Sequence, residues 1–216
     1  MGSKMLTGSM LVIGPILAII MIIIEPGGTT DESSFSVQVQ NLLDSPTLGG
    51  ITGVGWTWAL LAVTIGTAYL ARSMQGEQKS GSDLAGLASV LAFLSAGIVA
   101  VTSGLNTVLY DSGWTEQGGD AATSLAIGEA AFRGMFMFTG AASLLLGIAI
   151  FRQKNLNHIV GIITGLFGAL LLIGWLLPSV IHENEVFGLI GFIGFLGWPV
   201  MTIVLGVLTI RHARAE

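Results

Sequence analysis

The chain has 216 residues, of which 52% are hydrophobic and only 10% are charged, and its formal net charge is −5. A soluble domain of average composition carries about 25% charged residues, so this composition excludes an ordinary water-soluble domain and indicates a membrane protein. The acidic balance argues against nucleic-acid binding. The absence of cysteine excludes disulfides, thiolate metal sites and cysteine nucleophiles.

Six stretches are long and apolar enough to cross a hydrocarbon core, which needs about 20 helical residues. A helix satisfies its own backbone hydrogen bonds in an apolar solvent, so each stretch is predicted to be a transmembrane helix. The stretches cover residues 5–24, 50–72, 84–110, 131–151, 159–177 and 186–210. The sequence therefore predicts an all-α polytopic membrane protein, with a single six-helix domain over residues 1–216.

The connection between the first two helices contains a short amphipathic pattern. Phe35, Val39 and Leu42 recur at helical spacing. Pro46 comes shortly after the expected end of this segment. The pattern predicts a short helix that lies on the outer membrane surface. A short strand is the alternative, because Phe35, Val37 and Val39 also alternate along the chain.

The charged residues indicate the orientation of the bundle. Seven of the eight basic residues lie at the chain ends or in the second and fourth connections: Lys4, Arg72, Lys79, Arg152, Lys154, Arg211 and Arg214. The other three connections are acidic, with Glu25, Asp31, Glu32, Asp44, Asp111, Glu116, Asp120, Glu183 and Glu185. Since positive charge in short connections marks the cytoplasmic side, both termini are predicted to be cytoplasmic and the acidic face extracytoplasmic. We expect the plasma membrane of a prokaryote.

Glycine recurs at short intervals in the last two predicted helices. Small residues let membrane helices approach closely and associate. Helix packing is therefore predicted at Gly161, Gly165, Gly168, Gly188, Gly191, Gly194 and Gly197. Packing within the bundle and a face for dimerisation both fit this pattern.

Two prolines lie within predicted helices, Pro15 in the first and Pro199 in the sixth. Proline removes a backbone hydrogen bond and clashes with the preceding turn, so a kink is predicted at each. A static bend and a hinge for transport are the two interpretations.

Two opposite charges lie at the start of the fourth predicted helix. Glu129 and Arg133 are four residues apart, in the favourable order for an ion pair on a helix. Counting back about 20 residues from the inner end of this helix places both at the outer hydrocarbon boundary. A polar face of the third helix is expected to meet them there, with Ser95, Thr102, Asn106 and Tyr110. A structural ion pair, a ligand or proton site, and a contact with a partner protein remain open for this cluster.

The fifth connection carries His182, Glu183 and Glu185, whose side chains suit a divalent metal. Their spacing lacks the second histidine of the helical H-E-x-x-H motif, so a solvated loop is the alternative. No cofactor is therefore predicted, and a divalent metal is kept only as an alternative. The sequence also contains no phosphate-binding glycine loop and no G-x-S-x-G motif, so no catalytic activity of its own is expected.

Three functions fit these features. The favoured one is a non-catalytic, accessory or structural integral subunit that packs by glycine-rich faces into a larger membrane complex. Its expected partners are the lipid bilayer and either other membrane subunits or further copies of the chain. The second is a transporter or channel for a small solute or cation, which requires a water-accessible cavity reaching Thr102. The third is a metal-dependent membrane enzyme with an outer-face site.

Overall fold

The computed structural model describes residues 2–26, 35–108, 120–154, 156–179, 181 and 185–215. Within these ranges the chain is helical and contains no strand. The helices are α1 (Gly2–Ile24), α2 (Phe35–Asp44), α3 (Pro46–Ser73), α4 (Ser82–Val108), α5 (Ala121–Gln153), α6 (His158–Leu176) and α7 (Glu185–Ala215), with a 3₁₀ turn (Leu177–Ser179) after α6. All except α2 are long and apolar enough to cross a membrane. The predicted all-α polytopic membrane fold is confirmed.

The short helix predicted between the first two spans is also confirmed, as α2, and the strand alternative is wrong. Pro46 follows this helix and also begins the next one. Ser45 is the N-cap residue of α3 and Pro46 opens that helix, where a missing backbone N–H is not needed. α3 therefore begins four residues before the predicted start. The location of α2 on the outer membrane surface stays a prediction.

The largest difference from the predicted boundaries is at α5, which begins at Ala121 rather than at residue 131. Asp120 caps this helix: its Oδ2 accepts a hydrogen bond of 3.1 Å from the backbone nitrogen of Thr123 and one of 2.5 Å from the hydroxyl of Thr123. Such a cap satisfies backbone donors that would otherwise lack partners at a helix start. The helix therefore starts where its polar cap lies, well before its apolar stretch.

The six long helices pack in a closed ring. Each packs against its neighbours in the order α1, α3, α4, α5, α6, α7, and α7 packs back on α1. The ring closes where two glycines face each other: a Cβ on Gly8 would lie 2.8 Å from the carbonyl oxygen of Gly206. The beginning of α1 and the end of α7 are thus at the same end of the ring. We call this the terminal end, and the other the opposite end.

The interior of the ring is filled by side chains. Towards the terminal end, the buried cluster includes Leu11, Leu70, Met74, Leu146, Ile150 and Leu205. Towards the opposite end, a second cluster includes Leu60, Val63, Val99, Met135, Phe136, Leu171 and Trp198. These residues come from α1, α3, α4, α5, α6 and α7. The six helices therefore share one apolar interior.

α5 and α6 approach until their backbones touch. A Cβ on Gly147 would lie 2.6 Å from the carbonyl oxygen of Gly161, and one on Gly140 would lie 2.6 Å from the backbone nitrogen of Leu172. One on Gly168 would lie 2.8 Å from the carbonyl oxygen of Gly140. Real Cβ atoms essentially never come this close to another heavy atom. Only glycine therefore allows this helix pair its spacing.

The other glycines named in the sequence analysis differ in what they contact. A Cβ on Gly165 would meet Leu144 at 3.6 Å, in ordinary van der Waals contact. On α7, Gly191 lies against Gly174, Gly194 against the backbone of Leu171, and Gly197 against the ring of Phe167. Among the described residues, an added Cβ on Gly188 would have no atom beyond its own helix within 4 Å. A role for any of these glycines in dimerisation stays a prediction.

Both prolines lie inside continuous helices, Pro15 in α1 and Pro199 in α7. Gly14, next to Pro15, packs on α3, where a Cβ would lie 2.9 Å from the carbonyl oxygen of Ala59. The hinge interpretation of either proline stays a prediction.

Substitution of Gly147 by valine is expected to destabilise the protein. The new side chain would meet the α6 backbone, which cannot move aside as a side chain can. We therefore expect the free energy of unfolding to fall by about 3 kcal/mol or more, which is at or beyond the upper end of the losses caused by overpacking a core. The measurement is unfolding in mixed micelles by titration with SDS, followed by circular dichroism.

Gly188→Val is the matched control, because it adds the same side chain at an exposed position with no protein atom nearby. It is expected to change the free energy of unfolding by less than about 0.5 kcal/mol. Equal losses in the two variants would contradict the assignment of the Gly147 effect to backbone contact.

Candidate functional site

At the opposite end, the structure brings together polar side chains from α1, α3 and α5. Glu25 directly follows α1, and its Oε2 accepts a hydrogen bond of 3.3 Å from Nε1 of Trp56 on α3. Glu129 on α5 lies close enough to repel Glu25 electrostatically, and Arg133 attracts Glu129. We call Glu25, Trp56, Glu129 and Arg133 the opposite-end cluster. The sequence placed Glu25 on this side of the membrane but did not pair it with Trp56.

The carboxyl group of Glu25 is held in an unfavourable environment for charge. Burial raises its pKa above the ordinary value of 4.5, the hydrogen bond from Trp56 lowers the pKa, and the negative charge of Glu129 raises it again. The net shift of the pKa is upward. Desolvation therefore outweighs the single hydrogen bond that stabilises the carboxylate.

Glu129 and Arg133 lie on one side of α5, one turn apart, as the sequence predicted. Both side chains are exposed, so the pair is not enclosed in the packing between α4 and α5. The assignment of this pair as a structural ion pair, a ligand or proton site, or a contact with a partner protein stays a prediction.

Two residues of the polar face predicted on α4 lie in the packed interior. Ser95 and Thr102 are both fully buried. The hydroxyl of Ser95 donates to the carbonyl oxygen of Leu91 at 3.0 Å and accepts a hydrogen bond of 3.2 Å from the hydroxyl of Thr139 on α5. The hydroxyl of Thr102 donates to the carbonyl oxygen of Val99 at 3.0 Å. These hydroxyls are thus satisfied inside the packed ring, and neither is exposed to water.

The remaining predicted site residues are not placed by the structure. Tyr110, His182 and Glu183 lie outside the described residues. Asn106 lies in the last turn of α4 and Glu185 begins α7, but their side chains are outside what the structure describes. Among the residues that it does describe, no three histidine, aspartate or glutamate side chains are grouped as a metal site would require. The proposed metal ligands therefore stay a prediction.

At the terminal end, where the sequence predicted no site, the structure has a cavity of about 490 Å³. We call it the terminal-end cavity. Four of its lining residues are basic and come from separate segments: Lys4 of α1, Lys79 of the connection after α3, Arg152 of α5 and His212 of α7. The sequence used three of these only to indicate orientation. The missing information was the ring closure, which brings the ends of α1, α3, α5 and α7 around one opening.

The chain was compared with protein-family models, with curated proteins and with solved structures. It matches none of them. Its function is therefore argued from its own packing, burial and charge.

Replacement of Glu25 by glutamine is expected to raise the melting temperature at pH 7 but not at pH 4. Because the pKa of Glu25 is raised in the folded state, folding favours the protonated carboxyl group, and this contribution is lost as the pH rises through the folded-state pKa. A glutamine stays neutral at pH 7, and its amide oxygen can still accept the hydrogen bond from Trp56. The melting temperature in detergent at the two pH values checks this.

Glu77→Gln is the control for net charge, since Glu77 is exposed in the connection after α3. It is expected to leave the melting temperature almost unchanged at both pH values. A Glu25→Gln protein that is less stable than the unchanged protein at pH 7 would show that the charged carboxylate stabilises this end of the ring, contrary to the expectation.

Proposed function

We propose that this protein is a non-catalytic integral subunit of a larger membrane protein complex, and that it contacts its partner through the outward side of α4. This side carries a stripe of exposed residues spaced three and four apart: Leu87, Val90, Leu94, Gly97, Val101 and Gly104. Such spacing keeps them on one side of a helix. We call this stripe the α4 face.

The observation that supports the proposal is that two outward-facing glycines, Gly97 and Gly104, lie seven residues apart on this one side of α4. Among the described residues, a Cβ on either would meet no atom beyond its own helix within 4 Å. The glycines Gly147 and Gly168, by contrast, are in close contact with a neighbouring helix. Glycine within a helix costs about 1 kcal/mol relative to alanine, and no close helix approach in the described part of the chain offsets that cost at Gly97. A helix from another subunit packed into the shallow surface at Gly97 would offset it.

The chemistry of the α4 face defines the partner that it fits. Residues 84–108 contain no charged side chain, and Val101 and Leu94 are at least half exposed. Contact here would occur within the hydrocarbon region, where helices associate by close van der Waals packing. The expected partner is therefore a transmembrane helix that presents small residues of its own.

The other two functions have no comparable support. A carrier or channel required a water-accessible cavity reaching Thr102, but Thr102 is fully buried and donates its hydroxyl to the helix backbone. Met135 and Leu171 are likewise fully buried in the same half of the ring. The enzyme hypothesis depends on His182 and Glu183, which lie outside the described residues. We therefore propose only the subunit role.

The test is co-purification from native membranes in a mild detergent, with an affinity tag on the C-terminus. The unchanged protein is expected to recover a membrane partner in fixed stoichiometry. Gly97→Leu is expected to reduce that recovery by about tenfold or more, since a loss of about 1.4 kcal/mol in binding is enough for a tenfold change. Gly188→Leu is the control, because it makes the same change at another exposed glycine with no protein atom within 4 Å of its Cβ position.

Three outcomes would count against the proposal in different ways. A lone monomer in gently solubilised native membranes would contradict the subunit role. A partner retained equally by Gly97→Leu and Gly188→Leu would contradict the assignment to the α4 face. Recovery of further copies of this chain and no other protein would replace the larger complex by self-association.

The contact can also be mapped directly, because the chain contains no native cysteine. A single cysteine in place of Leu94 on the α4 face is expected to crosslink to the partner. A single cysteine in place of Leu166, which is 54% exposed on α6, is expected to give no such product. Crosslinking at Leu166 but not at Leu94 would move the interface to another side of the ring.

A further inference from the structure

The terminal-end cavity has the form of a small-molecule site. Its volume is about 490 Å³, within the range of roughly 300–1,000 Å³ that is usual for ligand pockets. Leu70 of α3 and Met74, directly after α3, contribute almost completely buried side chains to its lining. Further lining residues come from α1, α3, α5 and α7. The cavity thus lies at the terminal end, between residues of four helices.

The lining of the cavity is basic. Lys4, Lys79, Arg152 and His212 contribute to it, and none of the lining residues that the structure describes is an aspartate or a glutamate. Glu77 and Asp83 instead line a neighbouring surface cavity, which shares Lys79. The preference for positive charge in cytoplasmic connections accounts for basic residues at this end of the helices. This preference does not explain why basic residues from four separate segments line the same cavity.

Two of the basic side chains are held at the cavity by contacts that leave donors available. Nζ of Lys79 donates to the carbonyl oxygen of Ser73 at 3.1 Å, and an ammonium group has three N–H donors. The stem of Arg152 lies over Gly81, where a Cβ would be 3.4 Å from the arginine Cδ. The φ of +79° at Gly81 suits glycine. A guanidinium group presents five donors in a fixed plane.

One hydrogen bond fixes the wall of the cavity between two segments. Nε2 of Gln153 on α5 donates to the carbonyl oxygen of Met74, directly after α3, at 2.8 Å. The hydroxyl of Thr209 donates within α7, to the carbonyl oxygen of Leu205 at 2.7 Å. The end of α3 and α5 are therefore joined at the cavity before any ligand arrives.

We propose that the terminal-end cavity binds the phosphate group of a small anion from the aqueous phase, with Arg152 and Lys79 as the principal ligands. Planar guanidinium and flexible ammonium groups both form strong charge-assisted hydrogen bonds with phosphate oxygens. Lys4 and His212, which also interact elsewhere in the chain, line the same opening. On the predicted orientation, the cavity opens to the cytoplasm.

The phosphate group could also be that of an anionic lipid, because its chemistry is the same. Arg152 and Lys79 are both exposed, and a lipid headgroup would have to reach them with its acyl chains still in the bilayer. A soluble anion can reach them directly from water. The geometry therefore favours the aqueous source. This site is independent of the proposed subunit role, since none of its lining residues belongs to α4.

The first experiment is a calorimetric titration of the purified full chain in a neutral detergent with inorganic pyrophosphate, at constant ionic strength set by sodium chloride. Saturable binding is expected. Arg152→Gln is expected to weaken it by about tenfold or more, as loss of a charge-assisted hydrogen bond does. Arg211→Gln removes the same charge at the same end of the ring from an exposed residue that does not line the cavity. It is expected to change the affinity by less than about twofold, as surface charges that make no contact do.

Absence of saturable binding, or equal weakening by Arg152→Gln and Arg211→Gln, would overturn the proposal, because the second result would show a response to net charge alone. The melting temperature of each variant is measured first. If Arg152→Gln does not fold, Lys79→Gln is used in its place with the same expected loss of affinity.

The second experiment separates the two sources of phosphate. The protein is reconstituted into vesicles of phosphatidylcholine, with or without phosphatidylglycerol, and pyrophosphate binding is measured in both. Equal affinity in the two lipids supports the aqueous source. Competition by phosphatidylglycerol that disappears in Arg152→Gln would overturn it and assign the cavity to a lipid headgroup.

Discussion

The direct contact between the backbones of α5 and α6 sets the geometry on which the rest of the ring depends. In lipid there is no hydrophobic force between apolar helices, so close van der Waals packing has to hold them together. Gly140 and Gly147 on α5 are spaced seven residues apart, as are Gly161 and Gly168 on α6, and each pair meets the backbone of the other helix. This contact fixes the register of α5. The same helix then carries Arg152 to the terminal end and Glu129 to the opposite end.

Several buried hydroxyl groups in the ring are hydrogen-bonded to the backbone of their own helices. Thr64 on α3 and Thr202 on α7 are both buried, and each donates its hydroxyl to a carbonyl oxygen one turn earlier, at 2.8 Å. Thr102 does the same with Val99. A hydroxyl satisfied by its own helix carries little cost in an apolar interior. The chemistry that could reach solvent or a partner therefore lies at the two ends and on the outward faces.

The sequence predicted the six long helices because an apolar stretch of sufficient length has few other structures available in lipid, and it predicted α2 from its period. It missed the start of α5 because apolar length was counted and the cap at Asp120 was not. The helical spacing of Ser95 and Thr102 correctly placed both on one side of α4. Spacing alone does not distinguish a side that faces water from a side that packs on α5. The terminal-end cavity could not be predicted, because its prediction requires the order of the helices around the ring. No local sequence pattern contains that order. Gly97 was likewise overlooked, because its significance depends on the absence of any other described helix beside it.

The α4 face and the terminal-end cavity differ in solvent, in chemistry and in the elements that form them. The first is apolar and belongs to one helix, whereas the second is basic and is lined by residues from α1, α3, α5 and α7. Two sites influence each other only if binding at one favours a conformation that the other also distinguishes. Backbone contacts such as those of Gly147 and Gly206 leave the helices between these sites little room to shift. A packed ring of this kind therefore favours independent binding of the proposed membrane partner and the proposed aqueous anion.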